Sequence, residues 1–158
     1  MKLKDSTKEI IIAILIPLGI GLLSFLLTKN GINYYTNYLN KPSFAPPKVL
    51  FPIVWTILYI LMGLSSYYIY ESMSEHKECC LKLYSLNLII NFLWTIIFFN
   101  LQARLFAFIF IILLDFVVGF MIYCFYGISK KSAYLNIPYF IWILFASILN
   151  FSVYMLNR

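Results

Sequence analysis

Charge is scarce in this chain. Asp, Glu, Lys and Arg make up 11% of its 158 residues, with six acids against twelve bases. Histidine occurs once, as His76, and cysteine three times, as Cys79, Cys80 and Cys124. A zinc site takes three or four nitrogen or sulfur ligands, so one histidine beside two thiols is a poor set, and no metal is expected. Cys79 and Cys80 are adjacent in an expected loop while Cys124 falls in an apolar run. There is no C-x-x-C, no even framework and no case for a structural disulfide. The chain also lacks a Walker loop, a G-x-G-x-x-G and a G-x-S-x-G. ATP-driven transport, dinucleotide chemistry and the usual serine hydrolysis therefore lack support. The formal charge of +6 would suggest nucleic acid in a soluble protein, but the bases fall at the ends of apolar runs and form no stripe, so no nucleic-acid partner is expected.

What is abundant is apolar surface. With 63% hydrophobic and 20% aromatic residues, the chain exceeds what one small globular core can hide. A membrane span needs about 20 mostly apolar residues, and five such windows occur, at 10–27, 50–70, 81–100, 105–128 and 133–156. They are too long and too uniformly apolar for barrel strands of about ten alternating residues. The expected fold is an all-α integral membrane protein, one five-helix transmembrane domain with the bilayer as its surroundings. Lys2, Lys4 and Lys8 before the first run resemble a secretory leader, but the run is long and ends in Leu26-Leu27-Thr28-Lys29-Asn30 without a small-x-small cleavage pattern, so it is expected to remain as a helix. Lys2, Lys4, Lys8, Lys77, Lys82, Lys130 and Lys131 lie on one side of such a bundle. Lys29, Lys41, Lys48, Arg104 and Arg158 lie on the other. This 7-to-5 split favours a cytoplasmic N-terminus.

The most informative stretch is Lys41-Pro42-Ser43-Phe44-Ala45-Pro46-Pro47, followed by Phe51-Pro52 and Trp55-Thr56-Ile57-Leu58-Tyr59. Proline fixes φ and removes an amide donor, so these prolines shape a stiff loop that enters a helix near Pro52. Trp55 and Tyr59 then sit one turn apart on one face. In the third span Asn87, Asn91 and Trp94 recur at i, i+4 and i+7, and in the fifth Trp142, Ala146 and Asn150 at i, i+4 and i+8. Tryptophan anchors helices at interfaces and asparagine glues them together. Three helices with the same arrangement favour a shared pocket, because a cavity lined by aromatics with a few polar groups suits a flat apolar ligand.

These blocks resemble the TspO/MBR family, which comprises the tryptophan-rich sensory protein and the mitochondrial translocator protein, or peripheral benzodiazepine receptor. The resemblance rests on K-P-S-F-A-P-P at 41–47, F-P-I-V-W-T-I-L-Y at 51–59, Met62-Gly63, N-F-L-W-T at 91–95 with Phe98-Phe99, A-R-L-F-A at 103–107, and I-P-Y-F-I-W-I-L-F-A at 137–146 with Leu149-Asn150. It implies five packed helices around a pocket covered by the loop 28–49, with Pro42, Phe44, Pro46 and Pro47 in the lid, and often a homodimer. The implied ligands are porphyrins, sterols and benzodiazepine or isoquinoline drugs. The family's pocket residues fall on Trp55, Tyr59, Asn91, Trp94, Trp142 and Ala146. The two tryptophans it associates with porphyrin breakdown fall on Trp55 and Trp142. The resemblance and the five spans imply a multi-pass protein of a bacterial cell membrane.

Three positions depart from the family pattern. Phe44 stands where the loop usually has Trp, which keeps an apolar lid but removes an indole donor. Ile96 stands where a proline commonly follows, so the third helix is expected to be straighter. Phe110 replaces an acid early in the fourth helix, while Asp115 comes five residues later, about 500° around the helix and hence about 140° away in direction. The family's acidic role is not carried to it. An ionised carboxylate at mid-bilayer costs about 2.5 to 3.5 kcal/mol, so Asp115 is expected to be protonated, to face a polar cavity, or to be paired, as with an Asn of a neighbouring helix. The segment from Leu149 through Tyr154 to Arg158 fits a permissive cholesterol pattern and reads mainly as an interface anchor. Three function classes follow. One is a receptor or carrier for tetrapyrroles and similar flat molecules. The second is an enzyme that degrades bound protoporphyrin under light and oxygen, with Trp55 and Trp142 as redox participants and no cofactor beyond the porphyrin's own reactivity. The third is a small transporter or scaffold.

Overall fold

The computed structural model describes residues 2–158, with side chains from Ser6 onward. Six helices follow one another: α1 Lys2–Tyr38, α2 Leu50–Tyr70, α3 Lys77–Phe99, α4 Arg104–Ile128, α5 Lys130–Leu135 and α6 Ile137–Leu156. Helices α5 and α6 together make the last span, so five units are long and apolar enough to cross a membrane. The chain is an all-α, multi-pass integral membrane protein. Between 11% and 44% of the most apolar stretch of each span is buried. The remainder, including Leu15, Leu22, Phe116 and Tyr123, turns outward as an apolar shell that hydrocarbon solvates and water would not.

Three boundaries differ from the hydropathy reading. The first helix does not stop at Leu27 but runs to Tyr38, which shortens the covering loop from 28–49 to 39–49. Polar residues end a hydropathy window without ending a helix. Thr28 and Tyr35 remain buried on the inward face, and the Thr28 and Thr36 hydroxyls donate to the carbonyls four residues back, at 2.7 Å each. At about 1.5 Å per residue α1 is about 55 Å long, well beyond the bilayer core. Helix α3 begins four residues earlier than expected, so Cys79 and Cys80 are helical rather than in a loop. The fifth span starts at Lys130 and breaks at Asn136, where Pro138 in the first turn of α6 has no amide hydrogen to continue the α5 ladder.

Small residues govern how closely the helices meet. A Cβ on Gly63 of α2 would stand 2.5 Å from the Ile14 Cα of α1, so the two backbones cross in near contact. Gly31 likewise lies against the Phe99 carbonyl of α3 and Gly21 against the Tyr59 ring. Helices without a hydrophobic drive between them gain from such close approach through dispersion. The resulting order is closed: α1 packs on α2 and α3, α3 on α4, α4 on α5 and α6, and α5 on α2. Helices α2 and α6 touch far less than these neighbours do. At the α5 end, α2 is tied in by a buried polar knot. The Ser65 and Ser132 hydroxyls are 2.7 Å apart, and Asn136 Nδ2 donates to Ser65 Oγ and, at 3.1 Å, to the Ser132 carbonyl. Toward the end where the proline loop enters, α2 and α6 meet through side chains rather than by close backbone approach.

Candidate functional site

The gap between α2 and α6 is filled by rings. On α2, Phe51, Trp55 and Tyr59 recur every four residues, and on α6, Tyr139 and Trp142 are three apart, so each helix turns one aromatic stripe to the other. Two cross-pairs bridge the seam edge to face: Phe51 with Trp142, centroids 6.0 Å apart, and Trp55 with Tyr139 at 6.2 Å. Trp55 also lies on Tyr59 at 5.3 Å, and Trp142 on Phe145 at 5.6 Å. On the membrane side of this ladder an apolar groove of about 430 Å³ is lined by Val54, Ile57, Leu58, Pro138, Ile141, Trp142 and Phe145.

Helix α3 supplies the polar wall. Tyr139 and Asn87 are both fully buried, at 0% exposure, and the Tyr139 hydroxyl donates to Asn87 Oδ1 at 2.7 Å. One turn on, Asn91 Nδ2 donates to the Tyr59 hydroxyl at 3.4 Å. These two bonds orient the rings that flank Trp55. Among the described residues the remaining polar atoms of the two amides, Asn87 Nδ2 and Asn91 Oδ1, have no partner. They leave one donor and one acceptor unpaired on adjacent turns of α3, inside the bundle.

The loop expected to cover the site spans residues 39–49. Its root is clamped to the end of α6 by a reciprocal pair, in which the Asn40 amide donates to Asn157 Oδ1 at 3.0 Å and Asn157 Nδ2 to the Asn40 carbonyl at 2.8 Å. Lys41 Nζ donates to the Thr36 carbonyl at 2.6 Å. A turn from the Pro42 carbonyl to the Ala45 amide, 3.0 Å, turns Phe44 toward the seam, and its ring stands edge-on to Phe145 at 6.2 Å. Pro46 and Pro47 hold the next stretch extended into α2, where the Leu50 amide meets the Pro47 carbonyl at 2.9 Å.

Of the expected site residues, Trp55, Tyr59 and Asn91 form one connected group, and Trp142 joins it through the ladder. Ala146, one turn beyond Trp142, is buried. Trp94 stands apart. Its ring stacks on Phe98 at 5.7 Å, and its indole Nε1 donates to Asn150 Oδ1 at 3.1 Å in the amide orientation that also lets Asn150 Nδ2 donate to the Arg104 carbonyl. Asp115 is paired with a serine rather than with an asparagine: Ser147 Oγ of α6 reaches its Oδ2 at 2.7 Å. Sequence reasoning missed Phe51, Tyr139 and Phe145 as site residues. The signal was present for the first two, since Phe51 precedes Trp55 by four and Tyr139 precedes Trp142 by three on the same faces. Among the described residues no group of three or more His, Cys, Asp or Glu side chains converges.

A family model described as the TspO/MBR family matches residues 13–156. The chain belongs to the TspO/MBR family. It is 38% identical over 149 residues to the tryptophan-rich protein TspO of Archaeoglobus fulgidus, covering 94% of this chain and 97% of that one. It is 36% identical over 121 residues to protein CrtK of Rhodobacter capsulatus, covering 75% and 76%. To the translocator protein of Sus scrofa it is 32% identical over 141 residues, covering 85% and 83%. The TspO/MBR match spans every element that builds the aromatic seam, from Ala13 in α1 to the end of α6.

Proposed function

We propose that this TspO/MBR protein is a membrane receptor or carrier that binds porphyrins such as protoporphyrin IX, together with other flat hydrophobic molecules such as sterols and benzodiazepine or isoquinoline drugs. The observation that carries this reading is the seam between α2 and α6, where Phe51, Trp55, Tyr139 and Trp142 meet ring to ring beside an apolar groove of about 430 Å³, with Phe44 against Phe145. The rings touch edge to face at 6.0 and 6.2 Å, so a planar conjugated guest enters by parting them and stacks on the faces this exposes, beside the apolar groove of about 430 Å³. The proposed pocket comprises Trp55, Tyr59, Asn91, Trp142 and Ala146, with Pro42, Phe44, Pro46 and Pro47 as its lid; Trp94, expected among them, is engaged with Phe98 and Asn150 and joins only through the shared face of α3. The names of two relatives, a sensory protein and a translocator protein, fit a binder or carrier. The host is a bacterial cell membrane in this reading, which relatives in Chlorobaculum tepidum and Bacillus cereus support; a homodimer is the assembly that the family resemblance implies.

The test is quenching of tryptophan fluorescence by protoporphyrin IX in detergent. Trp142→Ala removes a ring that contacts both Phe51 and Phe145. A loss of about 2 kcal/mol in stacking and burial corresponds to an affinity more than tenfold lower. Unchanged affinity in a folded Trp142→Ala protein refutes this location for the pocket. No saturable quenching by the parent leaves a transporter or scaffold. A second reading, light-dependent oxidation of bound porphyrin, draws on the contact of the readily oxidised Trp55 with Tyr59 and Tyr139.

A further inference from the structure

Two of the three cysteines meet far from the aromatic seam. Helices α3 and α4 form an antiparallel hairpin whose turn centres on Gln102, a residue with a left-handed φ of 53°. Cys80 precedes Gln102 by 22 residues and Cys124 follows it by 22, so the two stand at the same height on adjacent helices. Beside them the Tyr84 and Phe125 rings also meet across the two helices, 6.5 Å apart. Cys80 is buried at this interface, and Cys124, half-buried and packed against the same core, stands close enough to act on the Cys80 thiol. Cys79, one residue away and so about 100° around the helix, is exposed.

We infer that Cys80 and Cys124 are a reversible dithiol–disulfide pair that joins α3 to α4 when a peroxide reaches this end of the bundle. Both lie within about a turn of a helix terminus beside Lys77, Glu78 and Lys82, hence near the membrane surface, where water-borne oxidants and reductants have access. Cys124, the less buried thiol, takes the first step. Its sulfur displaces one oxygen of the peroxide, giving a sulfenic acid and, from hydrogen peroxide, water. The Cys80 sulfur then attacks the sulfenic sulfur, the hydroxyl leaves with the Cys80 proton as a second water, and the S–S bond forms. Overall, two thiols and one hydrogen peroxide give one disulfide and two waters. Cys80 also opens the inward stripe of α3 that continues through Tyr84, Asn87, Asn91 and Trp94, so the bridge fixes the start of the helix that carries the polar wall. The inference stands independently of any porphyrin.

The experiment uses the full chain in detergent, fully reduced, treated with hydrogen peroxide and then alkylated with a maleimide reagent, with peptides read by mass spectrometry. Two of the three thiols are expected to become unreactive. A peptide joining Cys80 to Cys124 should appear, lighter by two hydrogens, and dithiothreitol should restore both thiols. Cys79→Ser should keep the bridge, while Cys80→Ser and Cys124→Ser should each abolish it. A product bridged through Cys79, within or between chains, overturns the assignment. So does conversion of Cys124 to sulfinic acid with Cys80 still alkylatable, and so does full alkylation of all three after oxidation. Because the Cys79→Ser chain keeps both pair members, its bridged peptide decides the matter even if the other two variants fold poorly.

Discussion

Removing one oxygen from the centre of the bundle tests whether the polar wall sets the aromatic site. In Tyr139→Phe the ring keeps its volume and its packing on Trp55, but Asn87 Oδ1 loses the hydroxyl that donates to it at 2.7 Å. Both groups are fully buried, and Asn87 Nδ2 already has no partner among the described residues. The whole amide is then unpaired inside the protein, for which about 1 to 3 kcal/mol is the ordinary cost. Hydrogen bonds between membrane helices average about 0.6 kcal/mol, because the unfolded chain in a bilayer also finds partners. The lower half of the range, about 1 kcal/mol, is therefore expected, equivalent to about 2 to 4 °C in Tm for a chain of this size. The decisive arm is a double-mutant cycle. Asn87→Leu alone strands the Tyr139 hydroxyl, whereas Asn87→Leu with Tyr139→Phe leaves neither group unpaired, so the double variant should be more stable than the sum of the singles by about 1 kcal/mol. Thermal unfolding followed by intrinsic fluorescence in one detergent measures all four proteins. Strict additivity within error would show that the Tyr139–Asn87 bond orients nothing, and the account of how Trp55 is held would fall with it.

Other outcomes follow from the same geometry. Ala146→Thr adds volume and a hydroxyl at a buried position one turn from Trp142, where overpacking costs about 1 to 3 kcal/mol, so drug-like and sterol ligands should weaken by tenfold or more in competition binding; a lower Tm with unchanged affinity would make Ala146 only a helix contact. Gly63→Ala forces a methyl against the Ile14 backbone and should lower stability by about 1 to 3 kcal/mol, while Gly127→Ala, with nothing near its Cβ, should be neutral or gain a few tenths; equal Tm shifts would contradict the close α1–α2 crossing. If Trp55 and Trp142 take part in oxidative chemistry, Trp→Phe at either should keep most porphyrin affinity yet slow the light-dependent loss of its absorbance several-fold; decay rates equal to the parent's under the same light and oxygen would leave a binder.

Composition and periodicity alone determined that this is a bundle of membrane helices, because the free energy of placing apolar side chains in hydrocarbon sums residue by residue and needs no partner. Local pattern likewise put Asn87, Asn91 and Trp94 on one face of α3, and the proline run marked the lid, since helical pitch and a fixed φ belong to the chain itself. Which faces meet is another matter. Nothing in the spacing of Trp55 and Tyr59 says that Tyr139 closes over them, that Trp94 turns away to Asn150, that Ser147 is the group that meets Asp115, or that Cys80 and Cys124 stand level. Those pairings depend on how closely backbones approach, and that is set by glycines such as Gly63 and Gly31 acting against residues far away in sequence. The seam between α2 and α6 is decided the same way. The Ser65–Ser132–Asn136 knot draws α2 to α5 at one end, and the bulk of Phe51, Trp55, Tyr139 and Trp142 occupies the gap at the other, so the seam exists only once the helices are packed.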